Sequence, residues 1–345
     1  MATTFKTLTS TNDITSTRTL LHEAIPLTGT IASGTYTDTN IKTYSHGMFE
    51  SVYDYPYLSS SANHIFDITT GYSSTSALSG AASVQNSKKL NVYSQMAQVL
   101  VGYDATGSIQ SFDKDGDIAS GGDKINEALF VNFSRLLSKD EMKKGSFTMN
   151  VHTAGTPAAN TTTLTIADHN AATSYKVNSP AGEYGILYTG SAAHATGSQV
   201  GVGLVYYQAG VVVLTGSVFA ASQMGPGVIT GSGFSAVATG STIDSMANCF
   251  RNRLDNISFN NTVELNSTVY FCRASHNEFN YSANPTYLSE SQIRVKNSTT
   301  DNPVSYVTTV GLYSSDNELL AVAKLSEPLK KDPNTELTLR VRLDF

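Results

Sequence analysis

The last stretch of the chain constrains the fold most. From Glu336 it reads E-L-T-L-R-V-R-L-D-F, with Leu337, Leu339, Val341, Leu343 and Phe345 alternating with Thr338, Arg340, Arg342 and Asp344. Successive side chains of a strand point to opposite faces, so this period of two gives one apolar face and one polar face. Free termini fray unless packing holds them. Five core-type residues at the end of the chain therefore predict a docked strand, in its own sheet or against a neighbour. The nearest candidate partner is a hairpin formed by Val304–Tyr313 and Leu319–Leu325, with Ser314-Ser315-Asp316-Asn317 as its turn.

Further stretches read as strands and helices with different clarity. No Asp, Glu, Lys or Arg lies between Glu183 and Asp244, and within that gap G-L-V-Y-Y-Q-A-G-V-V-V-L-T-G predicts two short buried strands about Gln208-Ala209-Gly210. The polar residues, glycines and β-branched residues in it argue against a membrane span, which needs about 20 predominantly apolar residues. Upstream, Leu90, Tyr93, Met96, Ala97, Leu100 and Val101 recur at helical spacing before Gly102. Ile125, Leu129, Phe133 and Leu136 do the same after an N-cap at Asp123. Ser138 and Glu141 have capping-box spacing for a further turn closed by Gly145. A helix is also predicted from Ser241 (Ile243, Met246, Phe250, Leu254), followed by strands at Val263–Cys272 and Ile293–Lys296. Gly225-Pro226-Gly227 marks a loop.

Together these elements predict an α+β chain dominated by antiparallel β-sheet, with two or three helices in the N-terminal part. Three regions follow from the shifts in composition: an α+β region over 1–150, a Gly/Val/Thr-rich β region over 151–240, and a helix plus antiparallel sheet over 241–345. Only 14% of the 345 residues are charged, against about 25% in typical soluble domains. A polar but weakly charged surface suits large permanent contacts. The net charge of −6 argues against a broad nucleic-acid footprint, which needs a basic face. Cys249 and Cys272 are expected to be free thiols, and the opening M-A-T-T-F-K-T-L-T-S has no apolar core of a signal peptide.

No catalytic, cofactor-binding or metal-binding residue is assigned from sequence. Asp113-Lys114-Asp115-Gly116-Asp117 superficially resembles a calcium loop, but Ile118 and Lys124 stand where an EF-hand needs Gly and Glu. An Asp-Gly turn is the favoured reading, and calcium binding stays open at this point. Gly231 to Ala236 fits G-x-G-x-x-A without a convincing strand before it or helix after it. The seven histidines (22, 46, 64, 152, 169, 194 and 276) form no metal-ligand spacing. Tyr44, Phe49, Tyr53, Tyr55 and Tyr57 make one aromatic-dense segment, suited to a half-buried surface or an interface.

Five blocks carry a family resemblance: His46–Asp67, Phe133–Phe147, Ser179–Tyr188, Val202–Thr215 and His276–Tyr287. They resemble virion structural proteins of contractile-tailed marine bacteriophages, cyanophages among them. The resemblance implies a non-enzymatic subunit of a phage tail or baseplate, without cofactors. It also implies a homo-oligomer bound to other virion proteins, residing in the virion after assembly in the bacterial cytoplasm. The alternatives are a receptor- or glycan-binding module on the particle surface and a capsid or neck component. A polymer-degrading enzyme would need convergent carboxylates in a cleft.

Overall fold

The computed structural model describes residues 5–27, 38–119, 121–156, 159–190, 192–193, 200–219, 233–282, 288–289, 292–293, 296 and 298–345. In chain order the elements begin with β1 (Ile14–Leu27), β2 (Ile41–Thr43), β3 (Glu50–Tyr53), β4 (His64–Tyr72), α1 (Asn86–Leu100) and β5 (Glu127–Phe133). Next come α2 (Arg135–Ser138), β6 (Glu141–Met142), β7 (Thr148–Thr156), β8 (Ala159–Ala167), α3 (Ala171–Ser174), β9 (Tyr184–Thr189), β10 (Gly203–Tyr206) and β11 (Val211–Thr215). The chain closes with α4 (Phe234–Gly240), α5 (Ile243–Arg251), β12 (Leu254–Ala274), β13 (Leu288–Ser289), β14 (Gln292–Ile293), β15 (Ser305–Tyr313), β16 (Leu319–Lys331) and β17 (Leu337–Asp344). The chain is β-rich, with a large antiparallel sheet. It divides into two compact units, Leu21–Val263 and Met1–Leu20 with Glu264–Phe345, and β12 runs from one into the other.

Within Leu21–Val263 the strands follow the order β12-β7-β8-β9-β10-β11-β5-β4-β3-β2. Successive residues of the middle strands enter two separate apolar clusters. Leu129, Val131 and Phe133 of β5, with Val212 and Leu214 of β11, join Met246 and Phe250 of α5. Ala128 and Phe130, with Val211 and Val213, join Val92, Tyr93, Ala97 and Leu100 of α1. Both faces of these strands are thus buried, and an uncharged continuous run is what such a strand requires. The hairpin expected over 202–215 is present as β10 and β11, and Gly210 takes the positive φ of 69° that its turn requires.

The helix expected over 123–137 is a correction. Residues Glu127–Phe133 form β5, paired with β4 on one side and β11 on the other. Ala128-Leu129-Phe130-Val131 is an unbroken apolar run, so both the helical stripe and the two-faced strand fit it, and burial on both faces decides for strand. The capping turn expected from Ser138 is replaced by strand, since Glu141–Met142 pairs with β12, while a turn does close at Gly145, where the Ser146 amide donates to the Lys143 carbonyl and Gly145 takes a φ of 75°. The helices are not confined to the N-terminal part: α1 lies there, but α4 and α5 fall within 234–251. α5 is the one predicted from Ser241, with Thr242 as N-cap accepting from the Ser245 amide. Of the strand expected at Ile293–Lys296, Ile293 lies in β14, while residues 294–295 and the loop at Gly225-Pro226-Gly227 lie outside the described residues.

In the second unit, β17 pairs antiparallel with Ser267–Ala274 of β12, and β1 lies on the other side of β12. The C-terminal strand therefore docks within its own chain, but not on the hairpin. β15 and β16 pair with each other from Ser305 to Lys331 as a separate two-stranded sheet. Alternation specifies which face of a strand is apolar; it does not specify which edge the strand joins.

Candidate assembly surface

Exposed apolar side chains gather on the outer face of the β15–β16 hairpin. Tyr313 lies opposite Leu319 and Gly311 opposite Val322, so the four share one face, and the Tyr313 and Leu319 side chains converge on Gly311. The Phe5 ring packs edge-on against Tyr313 at 4.9 Å. Leu319 is 52% exposed and Val322 55%. The inner face is little better covered: Val307, Val310, Ala321, Ala323, Leu325 and Leu329 are half-buried. Among the described residues of this unit only Val269, Leu312 and Val341 are buried apolar side chains, and none belongs to either apolar cluster. On β17, Leu337, Leu339 and Leu343 are half-buried and Phe345 is 73% exposed. Large contiguous apolar patches are where interaction sites are sought, which makes this face a candidate docking surface.

Three polar clusters elsewhere have hydrogen-bond partners within the chain, while other buried polar atoms, among them His169 Nε2 and the Tyr206 hydroxyl, have none among the described residues. In the Asp113–Asp117 loop the three carboxylates lie within 4.8 Å of one another. However, the Lys124 ammonium sits 2.5 Å from Asp113 Oδ2, and the amides of Asp115 and Gly116 donate to Oδ1. These hydrogen bonds and the Lys124 charge outweigh burial and hold Asp113 down at about 2. Lys124 thus pairs with one of the three carboxylates, and the loop bends at Gly116, which takes a positive φ of 78°.

Ser51, His64 and Asp67 converge without any sequence signal, since β3 and β4 bring them together by register. Ser51 Oγ donates to Asp67 Oδ1 at 2.5 Å, and His64 Nε2 lies 2.7 Å from the same oxygen. A serine nucleophile needs its proton taken by the imidazole. Here the serine proton goes to the carboxylate, and the three residues fasten two strands.

Asp168 is fully buried, which raises its pKa, and it accepts hydrogen bonds from the Gly145 and Phe147 amides and from the Tyr207 hydroxyl at 2.8 Å. The same carboxylate raises the Tyr207 phenol further beyond the effect of burial. This pair clamps a loop to the β10–β11 turn and faces no solvent. Residues Phe234–Gly240 do form a helix, contrary to expectation, and it begins within the G-x-G-x-x-A stretch, of which Gly231 and Ser232 lie outside the described residues.

Remaining groups fit the same pattern. Both cysteines are free, Cys249 buried and Cys272 half-buried. His22 meets Thr262, and His152 and His276 lie beside Asp255 and Glu336, while His194 lies outside the described residues. A groove lined by Ser16, Arg18, Asn266, Thr268 and Phe345 has no carboxylate, imidazole or thiol side chain in its lining. No described helix is long and apolar enough to cross a membrane. Compared with known protein families, characterised proteins and solved structures, the chain matches none.

Proposed function

We propose that the chain is a non-enzymatic structural subunit of a symmetric assembly, a tail or baseplate component of a tailed-bacteriophage virion. The observation that carries assembly is the unit Met1–Leu20 with Glu264–Phe345, whose described residues include three buried apolar side chains, each 7% or 8% exposed. A small unit stabilised so weakly by its own core needs outside burial to hold together. The outer face of the hairpin, Phe5 and Phe345 offer that burial to a neighbour. The virion assignment rests on the sequence blocks that resemble phage structural proteins. Mass spectrometry and density maps of purified particles test it. Ordered density for this chain at a fixed copy number supports the proposal, and its absence from washed particles refutes it.

A second reading has its own observation. Tyr55 is 58% exposed and Leu58 86%, beside Tyr57 and the half-buried Tyr53, whose rings lie 6.4 Å apart. With no tryptophan in the chain, these tyrosines are the platform on which a receptor-binding module would stack a sugar. Loss of host-cell binding by the purified chain on Tyr55→Ala with Tyr57→Ala would favour it over a purely structural role.

A further inference from the structure

β17 has one edge engaged and one open. The Phe345 amide donates to the Asn266 carbonyl at 2.8 Å, and the Asn266 amide returns the bond to Phe345 at 2.9 Å. Hydrogen-bonded pairs alternate along an antiparallel ladder, so the odd-numbered residues of β17 bond β12. The amides and carbonyls of Thr338, Arg340, Arg342 and Asp344 therefore point to the opposite edge. Among the described residues, β12 is the one strand paired with β17.

We propose that this edge pairs antiparallel with β17 of a second copy of the chain, with Leu343 opposite Leu343. The proposal rests on the assembly role above and names its partner and register. The choice follows from charge. Keeping the apolar faces aligned requires odd residues opposite odd ones. Centring the pair on Val341 would set Arg340 opposite Arg342 twice, and centring it on Arg342 would set that arginine against its own copy. Like charges directly opposite are destabilising. Centring on Leu343 sets Arg342 opposite Asp344 twice, with no like-charge contact, and lays Val341 of each copy beside the exposed Phe345 of the other. Registers centred on Arg340 or earlier leave Phe345 beyond the paired stretch. The existing contact between Arg342 and Asp344, at 2.7 Å with both side chains 56% exposed, is a surface pair of small worth. Both side chains also bond the Ser267 hydroxyl, which holds them on the polar face where a second copy would meet them. An unrelated strand would have to supply both charges by coincidence, whereas a second copy supplies them by symmetry.

Leu343 opposite Leu343 would be a non-hydrogen-bonded pair, with Cα atoms about 4.5 Å apart, which is within disulfide reach. The full chain carrying Leu343→Cys should therefore cross-link to a covalent dimer on mild oxidation, while Leu339→Cys should not. Sedimentation velocity gives an independent readout. Arg342→Asp and Asp344→Arg should each weaken dimerisation about tenfold, from two like-charge contacts, and the double exchange should restore it. Circular dichroism confirms that each variant is folded. A wild type that stays monomeric, a Leu339→Cys that cross-links as well as Leu343→Cys, or a double exchange as weak as the single changes would each overturn the pairing. A chain that enters particles without this dimer keeps the assembly role and loses the register. A dimer that never enters particles keeps the register and loses the virion role.

Discussion

Lys89 is fully buried in the first turn of α1, and among the described residues burial is what shifts its pKa. Its ammonium donates to the carbonyls of Val84 at 2.8 Å and of Ala238 and Ser241 at 2.6 Å each, the last two at the C-terminal end of α4. All three donors are used, and a cation suits the carbonyl end of a helix. Burial nevertheless lowers its pKa from 10.5 to about 8. The folded value lies below the unfolded one, so between about pH 8 and 10.5 the unfolded chain holds a proton that the folded chain has released. Stability therefore rises with pH across that window. At about 1.36 kcal/mol per unit, charging the group costs the fold about 3 kcal/mol at neutral pH, of which about 2–3 kcal/mol is regained by pH 10. Lys89→Met removes the pH dependence along with the charge. It also leaves three buried carbonyls without this donor, at about 1–3 kcal/mol each, so at pH 7 the gain and the loss partly offset. The diagnostic is the change with pH: urea melts of the two proteins should diverge by about 2–3 kcal/mol between pH 7 and 10. Burial also lifts the Tyr93 and Tyr184 phenols to about 12, which takes stability away above pH 10, but both proteins share that loss. A deficit that is the same at pH 7 and pH 10 would refute a buried, titrating Lys89.

Two other perturbations test the packing. At Gly71 of β4 an added Cβ would lie 2.6 Å from the Lys89 carbonyl oxygen and 2.8 Å from the Tyr93 amide nitrogen of α1, so Gly71→Ala should cost about 1–3 kcal/mol in a urea melt; unchanged stability would mean that α1 does not approach the sheet there. Deleting 337–345 removes Val341 and three half-buried leucines, together about 4–6 kcal/mol. Hydrogen exchange should then show protection lost in Ser267–Ala274 and Ile14–Leu20, with Leu21–Val263 unaffected, and protection that persists everywhere would contradict the β12–β17 pairing.

What could be read from the sequence followed the signals that have one structural solution. Alternation over Leu337–Phe345 has one solution, a strand. An uncharged Val-rich run broken at Gln208-Ala209-Gly210 has one, a buried hairpin. Ala128-Leu129-Phe130-Val131 has two, because a run buried on both faces carries no periodicity, and the helical choice was the wrong one. Partners were harder still. The edge that β17 joins depends on which strand has length to spare, and the 21 residues of β12 supply it. Lys89 was hidden for a different reason. Lys88-Lys89 looks like a solvated helix face, and only the approach of α4 turns one of the two inward. The Ser51–His64–Asp67 cluster also depends on register, and its geometry shows why such clusters need inspection before they are given chemistry.

The uneven distribution of burial links these observations to function. In Leu21–Val263 both faces of the central strands are covered, and three of the buried charges, Lys89, Asp168 and Asp113, are matched by carbonyls, amides or an ammonium. That unit has the means to be stable by itself. In the other unit the same alternating pattern builds strands whose apolar faces remain half open. Its buried cation, Lys331, is held by the Asn280 side chain at 2.6 Å and by two backbone carbonyls, without an apolar cluster around it. Sequence patterning there specifies strands, and the described residues do not supply enough cover to close a core. For a monomer that is a defect, and for a subunit it is what makes docking favourable: apolar area left open in the free chain is removed from water when a neighbour binds, and both folding and association gain from that burial.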